Sequence, residues 1–259
     1  MKHTFYKYQG TGNDFVIIDN RKGIFNKADT KLVANLCDRR FGIGADGLIL
    51  LENHVNVDFK MVYYNSDGNE STMCGNGGRC LVAFAKEIGV IDNDATFLAI
   101  DGLHHAKIED DTVKLQMLDV LDIETFSKHV FLDTGSPHHV EVRENINAID
   151  VQNEGASIRY GQPYNEEGAN VNFVEKIDDS IFAVRTYERG VEGETLSCGT
   201  GVTAVGIAMN ATGKTEGNVV TLQTKGGDLK VSFKQDENSY KDVWLIGPAT
   251  FVYKGDIEW

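Results

Sequence analysis

Two stretches decide how this chain is read: Glu70-Ser-Thr-Met-Cys74-Gly-Asn-Gly77 and Glu194-Thr-Leu-Ser-Cys198-Gly-Thr-Gly201. Each follows an apolar run that carries an aromatic, Tyr64 or Tyr187, and each opens into an apolar segment of helical character. The spacing is 198 − 74 = 124, close to half of the 259 residues. One Cys-Gly-x-Gly arises by chance, but two with matching flanks mark an internal duplication. Two similar domains are therefore expected, each presenting one Cys-Gly turn at the start of a buried helix. The boundaries expected are residues 1–118 with 249–259 for the first domain and 119–248 for the second.

Outward from these turns, short apolar or alternating runs recur at 15–18, 48–51, 59–64, 113–117, 181–187, 219–224, 229–233, 243–246 and 250–253, and most of them read as strands. Helical spacing is read at 29–40, 78–88 and 201–211, the last two closing at Gly89 and Gly213. The acidic stretches 108–111 and 234–238 read as solvated turns between strands. Glycine is the compositional outlier, 27 of 259 residues against a usual share of about 7%. Such a chain has many positions where the backbone turns sharply or approaches something closely.

Composition excludes several classes. Lys and Arg number 25 against 39 Asp and Glu, a net charge of −14, which repels phosphate backbones and anionic lipid. Neither nucleic acid nor membrane is expected as a partner. No apolar run reaches the roughly 20 residues of a membrane helix, and the opening residues lack a signal peptide's apolar stretch. A cytoplasmic protein is expected. Its four cysteines, Cys37, Cys74, Cys80 and Cys198, read as thiols. Cys74 and Cys80 stand too far apart for a zinc knuckle, and no metal site is expected.

A cysteine at a helix N-terminus lies beside unpaired backbone N–H groups and the positive end of the dipole, which favours the thiolate. The glycines that follow let the backbone approach an anion such as a carboxylate. One such turn suggests a nucleophile. Two related turns suggest a pair of acid/base groups serving opposite faces of one carbon, the arrangement that inverts a stereocentre.

The motifs Gly10-Thr-Gly-Asn-Asp-Phe15, Arg39-Arg-Phe-Gly-Ile-Gly-Ala-Asp-Gly47, Tyr64-Asn-Ser-Asp-Gly-Asn69, Met73-Cys-Gly-Asn-Gly-Gly-Arg79, Val171-Asn-Phe-Val174, Tyr187-Glu-Arg-Gly190 and Cys198-Gly-Thr-Gly201 resemble, in order and nearly end to end, those of the diaminopimelate epimerases. The resemblance implies an α+β fold of two pseudo-symmetric domains, each a mixed, mostly antiparallel sheet wrapped around a central helix, with the active site in the interdomain cleft. It implies an isomerase that interconverts LL- and meso-diaminopimelate for lysine and peptidoglycan synthesis, without a cofactor and as a homodimer. Carried over by position, Cys74 and Cys198 are the catalytic thiols, with His138 and Glu188 polarising them. Asn13, Asn65, Gly75, Asn76, Asn172, Glu188, Arg189, Gly199 and Thr200 fall where the family holds substrate. Arg189 suits a carboxylate, Glu188 an ammonium, and the amides offer both donors and acceptors.

Two positions depart from the family pattern. Ser136 stands for an Asn in the turn Gly135-Ser-Pro-His138, and Gly47 stands where some members carry Gln. Both departures bear on distal substrate recognition.

Buried structural thiols suit Cys37 and Cys80, which lie on apolar helical segments, but not cysteines in matched glycine turns. Gly42-Ile-Gly-Ala-Asp-Gly47 matches a dinucleotide fingerprint as a string, yet an apolar strand follows it where a helix is required. Only four residues separate Cys74 from Arg79, one too few for the phosphate loop of cysteine phosphatases. Taken alone, Glu188 and Arg189 are an exposed ion pair, and His138 or His139 a strand-edge imidazole. The rival functions are a proline or hydroxyproline racemase of the same architecture and a non-catalytic amino-acid-binding protein.

Overall fold

Residues Met1–Trp259 are all described by the computed structural model. They divide into two units, Met1–Leu115 with Gly247–Trp259, and Gln116–Ile246.

The first unit starts with a hairpin. Strands β1 (Lys2–Gly10) and β2 (Asn13–Asp19) are joined by Thr11 and Gly12, both at positive φ. Such a two-residue turn matches the twist of an antiparallel pair. Helix α1 (Thr30–Cys37) follows, and the Asp29 side chain accepts from the Leu32 N–H at its start. Strand β3 (Gly47–Glu52) runs parallel to β2, and β4 (Phe59–Asn65) returns antiparallel. Helix α2 (Gly75–Glu87) then crosses to β5 (Asp94–Ala99), which is parallel to β4 and continues antiparallel into β6 (Gly102–Glu109) and β7 (Thr112–Gln116). The late strand β17 (Thr250–Glu258) pairs antiparallel with β1.

Because β2 and β3 are covered on both faces, they read as unbroken apolar runs. Alternation divides their side chains. Val16, Ile18, Leu48 and Leu50 join Val62 and Tyr64 beneath Val33, Leu36 and Cys37 of α1. Phe15, Ile49 and Met61 lie on the opposite face, against Gly77 of α2. Helix α2 packs against β1, β2, β3, β4, β6 and β17 and is the central element of this unit.

The second unit repeats the plan. Strands β8 (Ile123–Thr125), β9 (His129–Asp133) and β10 (Pro137–Val142) pair antiparallel in turn. Helix α3 (Val151–Tyr160), capped by Asp150, leads to β11 (Asn170–Asp178), parallel to β10, and β12 (Ile181–Glu188) returns antiparallel. A short β13 (Gly193–Thr195) folds against the end of β12. Helix α4 (Gly199–Ala211) crosses to β14 (Val219–Thr224), parallel to β12, and β15 (Gly227–Asp236) and β16 (Ser239–Pro248) complete the sheet.

From β17 in one unit and from β8 in the other, neighbouring strands follow the same succession: antiparallel, antiparallel, parallel, antiparallel, parallel, antiparallel, antiparallel. The 124-residue offset between the two cysteines also separates both ends of α2 from those of α4. The expected two-domain α+β architecture, a mixed sheet around one central helix in each half, is what the chain adopts. Helix α4 is apolar all round because it is buried all round, and Gly206 lets it approach Val231 of β15 so closely that a Cβ there would lie 3.1 Å from the valine.

Candidate active site

Each central helix begins on a cysteine. Cys74 is the N-cap of α2 and Cys198 that of α4, both with extended backbone, and neither side chain caps its own helix. The first helical bonds run from Gly78 N–H to the Cys74 carbonyl and from Val202 N–H to the Cys198 carbonyl. The N–H groups ahead of them face the helix end, where an anion is favoured. Cys74 is half-buried and Cys198 buried, and all four cysteines are thiols. Burial pushes the thiols of Cys37 and Cys80 up to about 12, so those two stay protonated packing groups.

Beside Cys74 stands the Asn13 amide, whose Oδ1 lies 3.6 Å from Sγ. Asn13 is held in turn by Asp46, which accepts from its Nδ2 at 2.7 Å, and by Asn76, whose Nδ2 donates to Oδ1 at 3.3 Å. Asp46 and Asp14 share the Arg39 guanidinium, and Asp14 also meets the buried Lys7. Although burial opposes it, hydrogen bonds from Arg39 and Lys7 hold the Asp14 carboxyl down at about 2.

Arg79, in the second turn of α2, is completely buried. Its guanidinium donates to the Gly75 carbonyl (3.3 Å), Asn76 Oδ1 (3.0 Å), Thr11 Oγ1 (3.4 Å) and the Pro248 carbonyl (3.5 Å), and no carboxylate pairs with it. Burial lowers its pKa, yet a guanidinium keeps its proton in proteins. A Cβ on Gly10 would lie 3.3 Å from the guanidinium, so the bare backbone there makes room for it. Asn65 stands apart from this network, exposed at the end of β4 and in register with Gly47.

Around Cys198, the Thr200 hydroxyl lies 3.5 Å from Sγ, and Thr200 also accepts from Ser136 Oγ at 3.2 Å. His138 is fully buried on β10; Nε2 meets Ser136 Oγ at 3.0 Å and Nδ1 meets Asn172 Nδ2 at 3.1 Å. Burial, reinforced by the Arg189 charge, drives the His138 pKa down to about 3, so the ring is neutral. Asn172 is also fully buried, and its amide is taken up by His138, the His139 carbonyl and Thr186. A Cβ on Gly201 would come within 2.6 Å of Asn172 Oδ1, which shows how tightly the amide sits under the Cys198 turn. Glu188 is half-buried at the end of β12, and the neighbouring Arg189 is exposed, its Nη1 donating to the Glu167 carbonyl at 3.0 Å.

Thus Asn13, Gly75 and Asn76 gather at the Cys74 turn, while His138, Asn172, Gly199 and Thr200 gather at the Cys198 turn. Asp46, Arg79, Thr11, Asn170 and Thr186 join these networks without having been singled out as site residues. Arg79 carried the clearest signal, a charge set directly before the apolar run Cys80–Ala85; Asp46 lay unremarked inside a quoted motif. The Ser136 hydroxyl bridges His138 and Thr200. Gly47 has a steric cause: a Cβ there would lie 2.6 Å from both the Tyr63 ring and the Tyr64 carbonyl oxygen.

Similar proteins share this architecture. The family model described as diaminopimelate epimerase matches residues 5–120 and 130–252. A diaminopimelate epimerase of Flavobacterium psychrophilum is 60% identical over 97% of this chain and 99% of its own length, and one of Chlorobaculum tepidum is 42% identical over 96% and 98%. Among solved structures, a PhzF-family phenazine biosynthesis protein of Bacillus anthracis superposes with a TM-score of 0.80 at 13% identity, covering all of both chains. A hydroxyproline epimerase of Agrobacterium vitis gives 0.68 at 15% identity, covering 99% of this chain and 91% of the other. At those identities the structures establish the shared fold, and the sequence matches establish the rest: the chain belongs to the diaminopimelate epimerase family and is an isomerase, an amino-acid epimerase.

Proposed function

We propose that this protein interconverts LL- and meso-diaminopimelate by a two-base route, with Cys74 and Cys198 as the acid/base pair. The observation that carries the reading is the pair of cysteine N-caps at the matched ends of α2 and α4. A thiolate takes the α-proton from one face and becomes a thiol. The opposite thiol delivers its proton to the other face and becomes a thiolate, so the substrate leaves inverted with no net gain or loss of protons. The reverse reaction exchanges the two roles.

The N–H groups at the starts of α2 and α4, from Gly75, Asn76, Gly199 and Thr200, hold the α-carboxylate and take up the charge that develops on it. Arg189 receives the distal carboxylate and Glu188 an ammonium. Asn13 orients Cys74; Asn172 and His138 support the Cys198 turn; Asn65 meets the substrate at the exposed end of β4. Because His138 is neutral, it acts through hydrogen bonding and not as a cation. No cofactor takes part in this scheme. The reaction supplies lysine and peptidoglycan precursors in the cytoplasm, and the working form is a homodimer.

The test is proton NMR of LL-diaminopimelate in deuterated water with reduced protein and no added cofactor. Deuterium entering the α-position as meso isomer accumulates is the expected result. No exchange with a demonstrably reduced protein overturns the reading; exchange on proline derivatives instead would reassign the substrate.

A further inference from the structure

The hydrogen bonds behind Cys198 run in one direction only. Thr186 Oγ1 donates to Asn172 Oδ1 at 2.9 Å, which fixes that amide with its NH2 toward the His139 carbonyl and His138 Nδ1. His138 Nδ1 therefore accepts, and the neutral ring carries its proton on Nε2. Nε2–H donates to Ser136 Oγ. Asn170 is fixed in the same way: Oδ1 accepts the Arg189 backbone N–H at 2.8 Å, so Nδ2 donates to Ser136 Oγ at 3.1 Å. Ser136 Oγ thus accepts twice, and its single proton goes to Thr200 Oγ1. Against a Cys198 thiolate, which can only accept, the Thr200 hydroxyl at 3.5 Å is the donor.

We propose that Ser136 and Thr200 form a one-way relay that passes the donation of His138 and Asn170 to the Cys198 sulfur and so stabilises its thiolate. Ser136 and Thr200 act here as positioning residues, and the proposal rests on the two-thiol reading of the site. Chains of aligned hydrogen bonds polarise one another, so the last donor is stronger than a lone hydroxyl. The serine is the link, since its hydroxyl accepts and donates at one atom.

Several charged and titratable groups on or beside the elements packed against α4 have partners of their own. Glu194 pairs with Arg185 and Lys225. Asp133 accepts the Gly135 N–H, and Glu175 accepts the Ile146 N–H. His139 turns toward Tyr164 and Glu141. Glu188 and Arg189 lie at and just beyond the end of β12, on the substrate side of the proposed scheme. At Cys74 the polarity is opposite, because Asp46 takes the Asn13 NH2 and presents a carbonyl oxygen to that sulfur.

The experiment is alkylation of the full-length protein with iodoacetamide across pH, with the Cys74 and Cys198 peptides quantified separately and the midpoint of each profile read rather than its rate. Ser136→Ala and Thr200→Val are each expected to raise the Cys198 midpoint by about one pH unit while leaving that of Cys74 in place. Thr200→Ser restores the wild-type value. Thr200→Val keeps the side chain's shape, so it carries the test if Ser136→Ala fails to fold. A Cys198 midpoint unmoved in the folded variants, or an equal movement at Cys74, overturns the relay. These midpoints need no turnover, so a wild-type protein silent in the exchange assay defeats the functional reading and leaves the relay separately judged.

Discussion

Asp46 Oδ2 accepts a 2.7 Å hydrogen bond from Asn13 Nδ2, and this bond decides which end of the Asn13 amide meets Cys74. A carboxylate can only accept, so the NH2 must face it and the carbonyl oxygen must face the sulfur. Asp46→Ala frees the amide to turn. A fall in kcat of about tenfold is expected, with a thermal midpoint within a few degrees of wild type, since Asp46 is exposed and part of a surface charge network. Steady-state kinetics with a melting curve checks both halves; an unchanged kcat contradicts the positioning role.

Each thiol is indispensable in the two-base scheme. Cys74→Ala and Cys198→Ala are each expected to abolish epimerisation while leaving the circular dichroism spectrum of the folded chain. Either variant retaining full turnover in the NMR assay sinks the scheme.

Arg79 feeds four oxygen acceptors from one buried guanidinium. Lysine has the charge but not the planar fork, and cannot reach acceptors spread over α2, the β1–β2 turn and Pro248. Arg79→Lys should therefore destabilise by about 2–4 kcal/mol, because several buried acceptors lose their donor. Urea unfolding of the two proteins measures it, and a loss below about 1 kcal/mol would show that the acceptors find other partners.

Gly47 tests steric exclusion. A Gln at this position would place its Cβ against Tyr63 and the Tyr64 carbonyl, the second of which is backbone and cannot swing away. Gly47→Gln is expected to lose about 1–3 kcal/mol of stability and to gain nothing in KM. A stable variant with improved KM would contradict this.

Acid should weaken the second unit before its carboxylates titrate. Burial holds His138 at about 3 and His139 at about 4 in the folded chain, against about 6.5 when unfolded. The unfolded chain therefore binds these protons first, and stability, complete above pH 6.5, is lost as pH falls toward those folded values. Each histidine contributes up to about 1.4 kcal/mol per pH unit, so at pH 5 the two cost at most about 4 kcal/mol. Asp14, held at about 2, adds nothing in that window. Urea midpoints at pH 7.5 and 5.0 should differ accordingly, and His139→Gln should reduce the difference; a midpoint indifferent to pH rejects this account.

Much of this was legible in the sequence. All nine apolar runs are strands, and the duplicated Cys-Gly turns located both central helices. Helix α2 begins at Gly75 and α4 at Gly199, earlier than periodicity indicated, because the glycines that look like a loop form the first helical turn against tightly packed neighbours. Strands β8 to β11 escaped because their residues are polar or short-run, and the pairing of His138 with Asn170 and of Val140 with Asn172 is long-range. Helix α3 escaped because a glycine interrupts its apolar face; Gly155 is there to let Tyr187 lie against the backbone, where a Cβ would be 2.4 Å from the tyrosine Cβ. The site's hydrogen-bond directions were beyond the sequence altogether, since they depend on which amides are pinned by partners far along the chain.

The pairing of β1 with β17 brings the Met1 amine to 3.2 Å from the Trp259 carbonyl. During synthesis this sets an order. The second unit is drawn from one uninterrupted stretch, Gln116–Ile246, whereas the first must wait for Gly247–Trp259. The half that leaves the ribosome first is thus the last to be finished, and until then the outer edge of β1 is an open template for any passing strand.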